Sequence, residues 1–249
     1  MAHIIVTGAN RGIGYFMAER LLEKGNVLAV LDVETDRLDA LAERYGYRLL
    51  SLTCDVRDGE RVARCVAEAA QCFGPPDVAV HNACLCTFAP ALGTSEDTYR
   101  DVFDVNYFGA LHLAKAALPY MKARGKGRVV FTSSGVGVMG FVNISPYASS
   151  KGAIEALAKC LSLEHSADGV TFHIFHPPLT KTASSAPLPV PQEFMADAKT
   201  VGRGLADHID KKSFVLCHSF AQRLQTNLCY LFPLAMGRLM SKMTAGYQK

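Results

Sequence analysis

The sequence predicts a single α/β domain built on a doubly wound parallel sheet of about seven strands with helices on both faces. Three observations carry this expectation. Apolar runs of strand length alternate with longer stretches of helical periodicity. The runs are continuously apolar, as strands covered on both faces are. A glycine cluster follows the first run directly.

In chain order, "HIIVTG" from residue 3 reads as a strand and about Ile13 to Lys24 as a helix. "VLAVLD" is the second strand, followed by a helix around Arg37 to Tyr45. "LLSLTCDV" precedes a helix from about Gly59 to Phe73, and "DVAVHNA" precedes a long helix from about Thr98 to Lys122. "GRVVFTSS" is a strand that leads into the alanine-rich helix of "SPYASSKGAIEAL". "VTFHIFHP" and "SFVLC" complete the set. Between them, "TKTASSAPLPVPQEF" has the prolines and small residues either of a lid beside a site or of a plain surface excursion.

Composition bounds the function. A chain of 249 residues fits one domain, and 49% hydrophobic with 20% charged residues supplies a large core. The net charge of +3 comes from scattered basic residues, which leaves no footprint for nucleic acid. The eight cysteines form no pair of C-x-x-C motifs and no Cys/His set at zinc spacing, so we expect free thiols and no metal site. The opening "MAHIIVTG" enters a strand with no basic or apolar leader, and the expectation is a cytoplasmic protein.

The glycine cluster, "VTGANRGIGYF", sets Gly8, Gly12 and Gly14 between the first strand and the first helix. Such a turn lets backbone N–H groups and the positive end of a helix approach a pyrophosphate. Asp32, at the end of the second strand and 18 positions after Gly14, can accept both ribose hydroxyls of an adenosine and would repel a 2′-phosphate. NAD is therefore favoured over NADP. Arg11 argues the other way, because a basic side chain in the turn can pair with that phosphate. Asp55 and Val56, ending the third strand, border an adenine or else include a helix N-cap.

Tyr147 and Lys151 stand four apart on one helix face. A nearby ammonium favours phenolate over phenol and makes tyrosine a usable proton donor and acceptor.

With the glycine turn, "HNAC", "DVNYFGA", "VVFTSSG" and "YASSK" in this order, the chain resembles the short-chain dehydrogenase/reductase family from residue 3 to about 217. The resemblance implies a Rossmann fold and an NAD(P)-dependent oxidoreductase acting on CH–OH groups. It implies a catalytic tetrad of Asn106, Ser134, Tyr147 and Lys151, with Ser134 13 positions before Tyr147. In these roles Tyr147 exchanges a proton with the substrate oxygen, and Lys151, together with an oxidised, positively charged nicotinamide, lowers the tyrosine pKa and binds the nicotinamide ribose. Ser134 aligns the substrate oxygen, and Asn106 supports Lys151 through its carbonyl with a water between. The implied cofactor contacts are Thr7, Gly8, Asn10, Arg11, Gly12, Ile13 and Gly14 of the turn, then Asp32, Asp55, Val56, Asn82, Ala83, Tyr147, Lys151, Pro177 and Thr182. A homodimer or homotetramer is the implied assembly.

Two departures stand out. Cys84 occupies the glycine position of the family's N-N-A-G, with His81 in its first position as a packed histidine or a second proton carrier. Pro178 replaces the usual glycine after the sixth strand, which removes a backbone donor. The Pro-Pro pair and "NYFG" resemble the 3-ketodihydrosphingosine reductase-like branch, which inclines the reading toward apolar substrates.

Residues 218–249 read as an amphipathic helical extension of the domain formed by residues 1–217. Leu224, Leu228, Leu231, Phe232, Ala235, Leu239, Met240 and Met243 recur at near-helical spacing with polar residues opposite, and Pro233 should kink the helix. The apolar face has three candidate destinations: a partner subunit or the substrate mouth, a membrane surface suited to Arg238, Lys242 and Lys249, or the core. The sequence as a whole favours an NAD-dependent oxidoreductase for a secondary alcohol or ketone on a hydrophobic molecule. The alternatives are a membrane-surface lipid ketone reductase using NADPH and a dinucleotide-binding sensor without turnover.

Overall fold

The computed structural model describes residues 1–186 and 188–245. Pro187 of the proline-rich loop and Lys249 lie outside the described residues. Seven parallel strands form one sheet in the order β3-β2-β1-β4-β5-β6-β7. They are β1 (His3–Thr7), β2 (Val27–Asp32), β3 (Leu49–Thr53), β4 (Val78–His81), β5 (Gly127–Thr132), β6 (Val170–Phe175) and β7 (Val215–Leu216). The order reverses between β1 and β4, so the two halves wind away from each other there and open a crevice at the strand ends.

Each face has its own core. On one side α1 (Gly12–Glu23) and α2 (Asp39–Tyr45) cover the sheet, and Met17, Leu21 and Leu41 meet Val6, Leu28 and Val30. On the other, α3 (Gly59–Phe73) packs Val62, Val66 and Ala69 into a cluster with Ile5, Ala79 and Phe131. Every third or fourth residue of α3 is apolar, and Asp58 caps its start by accepting from Arg61 N at 2.9 Å.

The expected single helix from Thr98 to Lys122 is interrupted. It begins as α4 (Glu96–Phe103), widens into a π turn over Asp104–Phe108, and continues as α5 (Gly109–Ala123). The wider turn lets Gly109 approach β4, where a methyl group would fall 2.9 Å from His81 Cε1. A short α6 (Val136–Met139) then precedes α7 (Ser145–Glu164), which carries Tyr147 and Lys151.

Two helices were not anticipated, the short α6 and the longer α8 (Ala198–Asp207). Of these, α8 covers one face of the sheet beside α1. It lies against α1 so closely that a methyl on Gly202 would meet the Ile13 carbonyl at 2.5 Å. Arg203 bridges Glu19 and Glu23 while Arg20 bridges Asp207 across the seam. The C-terminal pattern forms two helices, α9 (Phe220–Leu231) and α10 (Pro233–Ala245), broken where proline was expected to bend one. No helix among the described residues is long and apolar enough to cross a membrane.

Candidate active site

The crevice is a cavity of about 860 Å³ that runs from Asp32 and the glycine turn, past Tyr147, to the methionines of α10. At its near end backbone crowding selects the glycines. Gly8 has φ of +68°, and a methyl there would lie 2.5 Å from Ala83 Cα. A methyl on Gly14 would lie 2.2 Å from the Gly8 carbonyl oxygen. Asn82 fixes this geometry by donating from Nδ2 to that carbonyl at 2.7 Å.

Thr7 Oγ1 accepts from the N–H groups of Asn82 and Ala83 at 3.1 and 3.2 Å. Its proton is therefore left to donate to His81 Nδ1, 3.0 Å away, which places the ring proton on Nε2. Burial brings the His81 pKa down to about 3, Lys151 adds to the effect, and the backbone carbonyls of Asn106 and Val105 partly oppose it. His81 is thus a packed, neutral histidine.

Asp32 Oδ2 accepts from Asn10 N at 2.8 Å, while Asn10 Nδ2 donates to Asp36 at 2.8 Å. Arg11 is engaged too, in an exposed ion pair with Glu34 that the sequence reading did not assign. Arg57 grips both oxygens of Asp55, at 2.9 and 2.6 Å to Oδ2, and this bonding holds the Asp55 pKa low against its partial burial. Asp55 and Val56 line the cavity, and the N-cap of α3 is Asp58. Thr182 caps a short 3-10 turn over Ala183–Ser185 and leans on the glycine turn, its Cγ2 lying 3.1 Å from where a methyl on Gly12 would be. Around it, Leu188, Val190 and Phe194 of the proline-rich loop line the cavity with Pro177 and Pro178.

Ser134, Tyr147 and Lys151 come together at the middle of the crevice. Ser134 and Cys84 lie beside the buried Tyr147 hydroxyl, and all three line the cavity. Lys151 is 1% exposed, donates from Nζ to the Thr132 carbonyl at 2.8 Å, and lies 5.5 Å from the centroid of the Tyr147 ring. The surrounding protein by itself raises the tyrosine pKa. Burial pushes it well above its usual range, the thiols of Cys84 and Cys86 push the same way, and the Ser134 hydroxyl only opposes them. Burial likewise pushes Cys86 up to about 12, so that thiol stays protonated and carries no nucleophile.

Asn106 sits in the π turn and uses its whole amide on structure. It accepts from Leu85 N at 2.8 Å and donates to the Leu85 carbonyl at 3.0 Å and to Ser150 Oγ at 2.9 Å. Its side chain ties the segment holding Cys84 and Cys86 to α7. Behind Lys151 lies a buried network the sequence reading missed. Glu155 Oε1 accepts from Ser133 Oγ at 2.9 Å and lies 2.8 Å from His176 Nε2, and Glu155 Oε2 accepts from the Tyr230 hydroxyl at 2.6 Å. The only sequence signal was Glu155 standing four positions after Lys151, on the same helix face.

The model of the short chain dehydrogenase family matches residues 2–192. The chain belongs to the short-chain dehydrogenase family. It is similar to the oxidoreductase UcpA of Salmonella typhimurium, 34% identical over 182 residues that cover 72% of this chain and 69% of that protein. It is also similar to meso-2,3-butanediol dehydrogenase of Serratia marcescens, 31% identical over 72% of this chain and 71% of that one. A short-chain dehydrogenase structure from Streptomyces avermitilis superimposes with a TM-score of 0.80 at 26% identity, covering 100% of this chain and 99% of the other. The protein is accordingly an NAD(P)-dependent oxidoreductase of CH–OH groups on a seven-stranded Rossmann fold.

Proposed function

We propose that the protein interconverts a secondary alcohol and a ketone on an apolar molecule, using NAD in preference to NADP, with Tyr147 as the general acid and base. The observation that carries the cofactor preference is the pairing at the near end of the crevice. Asp32 directs a carboxylate into the cavity where the adenosine ribose is expected, and Arg11, the cation that would attract a 2′-phosphate, is engaged by Glu34. The crowded glycine turn, with the N-terminus of α1 behind it, fits a pyrophosphate.

A bound nicotinamide supplies the hydride acceptor or donor. The chain's own residues handle the proton and the alignment. Ser134 and Tyr147 present two hydroxyls to one substrate oxygen, and Tyr147, kept as a phenol by burial, donates its proton to a carbonyl oxygen in the reductive direction. In the oxidative direction the step runs in reverse: Tyr147 starts as a phenolate, stabilised by Lys151, and takes the proton of the alcohol. Lys151, already dry and fixed by the Thr132 carbonyl, is placed to hold a ribose hydroxyl and to stabilise phenolate charge. The far wall, with Met139, Phe141, Met236 and Met240, offers an apolar substrate dispersion contacts and few hydrogen bonds. Homodimeric or homotetrameric assembly and a cytoplasmic location belong to the same reading.

Separate titrations with NADH and NADPH, followed by nicotinamide fluorescence and repeated with Asp32→Ala, test the cofactor. The expected result is much tighter NADH binding that the variant loses. Equal or tighter NADPH binding would overturn it and bring forward a lipid ketone reductase using NADPH. One observation favours a sensor without turnover: the Cys84 thiol lies beside the Tyr147 hydroxyl. Turnover of any hydrophobic secondary alcohol that is abolished in Tyr147→Phe would exclude that reading.

A further inference from the structure

Helix α9 is packed inside out. Its buried positions are Gln222, Thr226 and Cys229, whereas the stripe Phe220, Leu224, Leu228 and Leu231 faces solvent, with Phe220 81% and Leu231 69% exposed. The inward face is held by polar contacts: Thr226 Oγ1 lies 3.7 Å from Cys217 Sγ, and the Tyr230 hydroxyl donates to Glu155. Exposure continues across the break between the helices, through Phe232 and Leu234. A contiguous apolar strip of this kind on a water-facing helix requires a partner.

The charge around it selects the partner. Residues 211–249 contain six of the chain's 26 lysines and arginines and none of its 23 acidic residues, so they carry +6 while the first 210 carry −3. Lys211, Lys212, Arg223, Arg238 and Lys242 are all exposed, and none makes an ion pair among the described residues. A second copy of this face would set these cations against one another. An anionic lipid surface would neutralise them while accepting the apolar strip.

We propose that α9 and α10 dock on an anionic membrane surface, with Phe220, Leu224, Leu231 and Phe232 entering the acyl boundary and Arg223, Arg238 and Lys242 meeting lipid headgroups. Docking would also present the far end of the crevice to the bilayer, because Leu239 and Met243 of α10 line the cavity and are at the same time partly exposed at its rim. That last clause rests on the apolar-substrate reading above; the docking itself does not.

Flotation of the full chain with phosphatidylcholine vesicles, with and without phosphatidylserine, tests the proposal. The protein should float with the anionic vesicles, dissociate as salt rises, and bind neutral vesicles about tenfold more weakly. The triple variant Phe220→Ser/Leu224→Ser/Leu231→Ser should lose at least about tenfold of this binding while keeping its circular dichroism and NADH affinity, since all three side chains project away from the fold. Arg223→Glu/Arg238→Glu/Lys242→Glu should abolish it independently of the apolar residues. Failure of the wild-type chain to float with anionic vesicles, or unchanged flotation of both variants, would overturn the proposal. Dissociation of an oligomer by the apolar variant would overturn it as well and assign the strip to a second copy. NADH affinity, read in the same samples without vesicles, separates each of these outcomes from failure of the hydride-transfer reading.

Discussion

Helices α3 and α9 both carry an apolar stripe at helical spacing, and they bury opposite faces. Helix α3 turns Val62, Val66 and Ala69 to the sheet and its charged residues to water. Helix α9 turns Gln222, Thr226 and Cys229 inward and its leucines outward. The difference lies in what each helix meets. Behind α3 is an apolar sheet face, where only apolar burial is favourable. Behind α9 are the crevice, which Gln222, Thr226 and Cys229 line, and the buried carboxylate of Glu155, to which Tyr230 donates.

The comparison breaks most visibly with a matched pair of carboxylates. Val66→Asp should cost about 4 kcal/mol or more, because it buries an unpaired charge in the α3 core, and urea unfolding would read it. A second test uses pH. His81 is neutral when folded and protonates near 6.5 when unfolded, so its folded pKa is the lower one and the unfolded chain binds the extra proton. Its contribution is complete above pH 6.5 and is lost as pH falls toward about 3, amounting to about 2 kcal/mol between pH 6.5 and 5. His81→Asn should flatten that limb of the stability curve.

The α9 side loses stability at a lower pH. Burial pushes Glu155 up, and the hydrogen bonds from His176, Tyr230 and Ser133 together outweigh it, leaving its pKa below the usual 4.5. Its stabilisation is present above that value and disappears as pH falls through the lower folded one. Tyr230→Phe removes one donor and should cost about 1.5 kcal/mol at neutral pH, with faster amide exchange in α9. The smallest effect belongs to Leu224→Asp, within about 0.5 kcal/mol of the parent despite the same chemistry as Val66→Asp. A loss there as large as at Val66 would mean that the apolar face of α9 is covered within the free protein.

Much of the site was legible because its chemistry is local. The glycine spacing, Asp32 at a strand end, and the i, i+4 pair of Tyr147 and Lys151 are set by short stretches of chain, and the fold brings Ser134 to the same tyrosine. The Glu34 partner of Arg11 escaped notice because their contact joins residues 23 apart. Helix α8 was missed because Gly202 and Gly204 break the helical pattern, although Gly202 is what lets it approach α1.

Periodicity and turn chemistry by themselves determined the strand and helix alternation, the parallel sheet and the glycine turn with Asp32 at a strand end, since each depends on near neighbours along the chain. Only the tertiary structure decided which face of α9 is buried, which way burial moves the Tyr147 pKa, and where the amide of Asn106 is used. These depend on the dielectric surroundings and on partners distant in sequence, and an apolar stripe has the same period whether it faces a core or water.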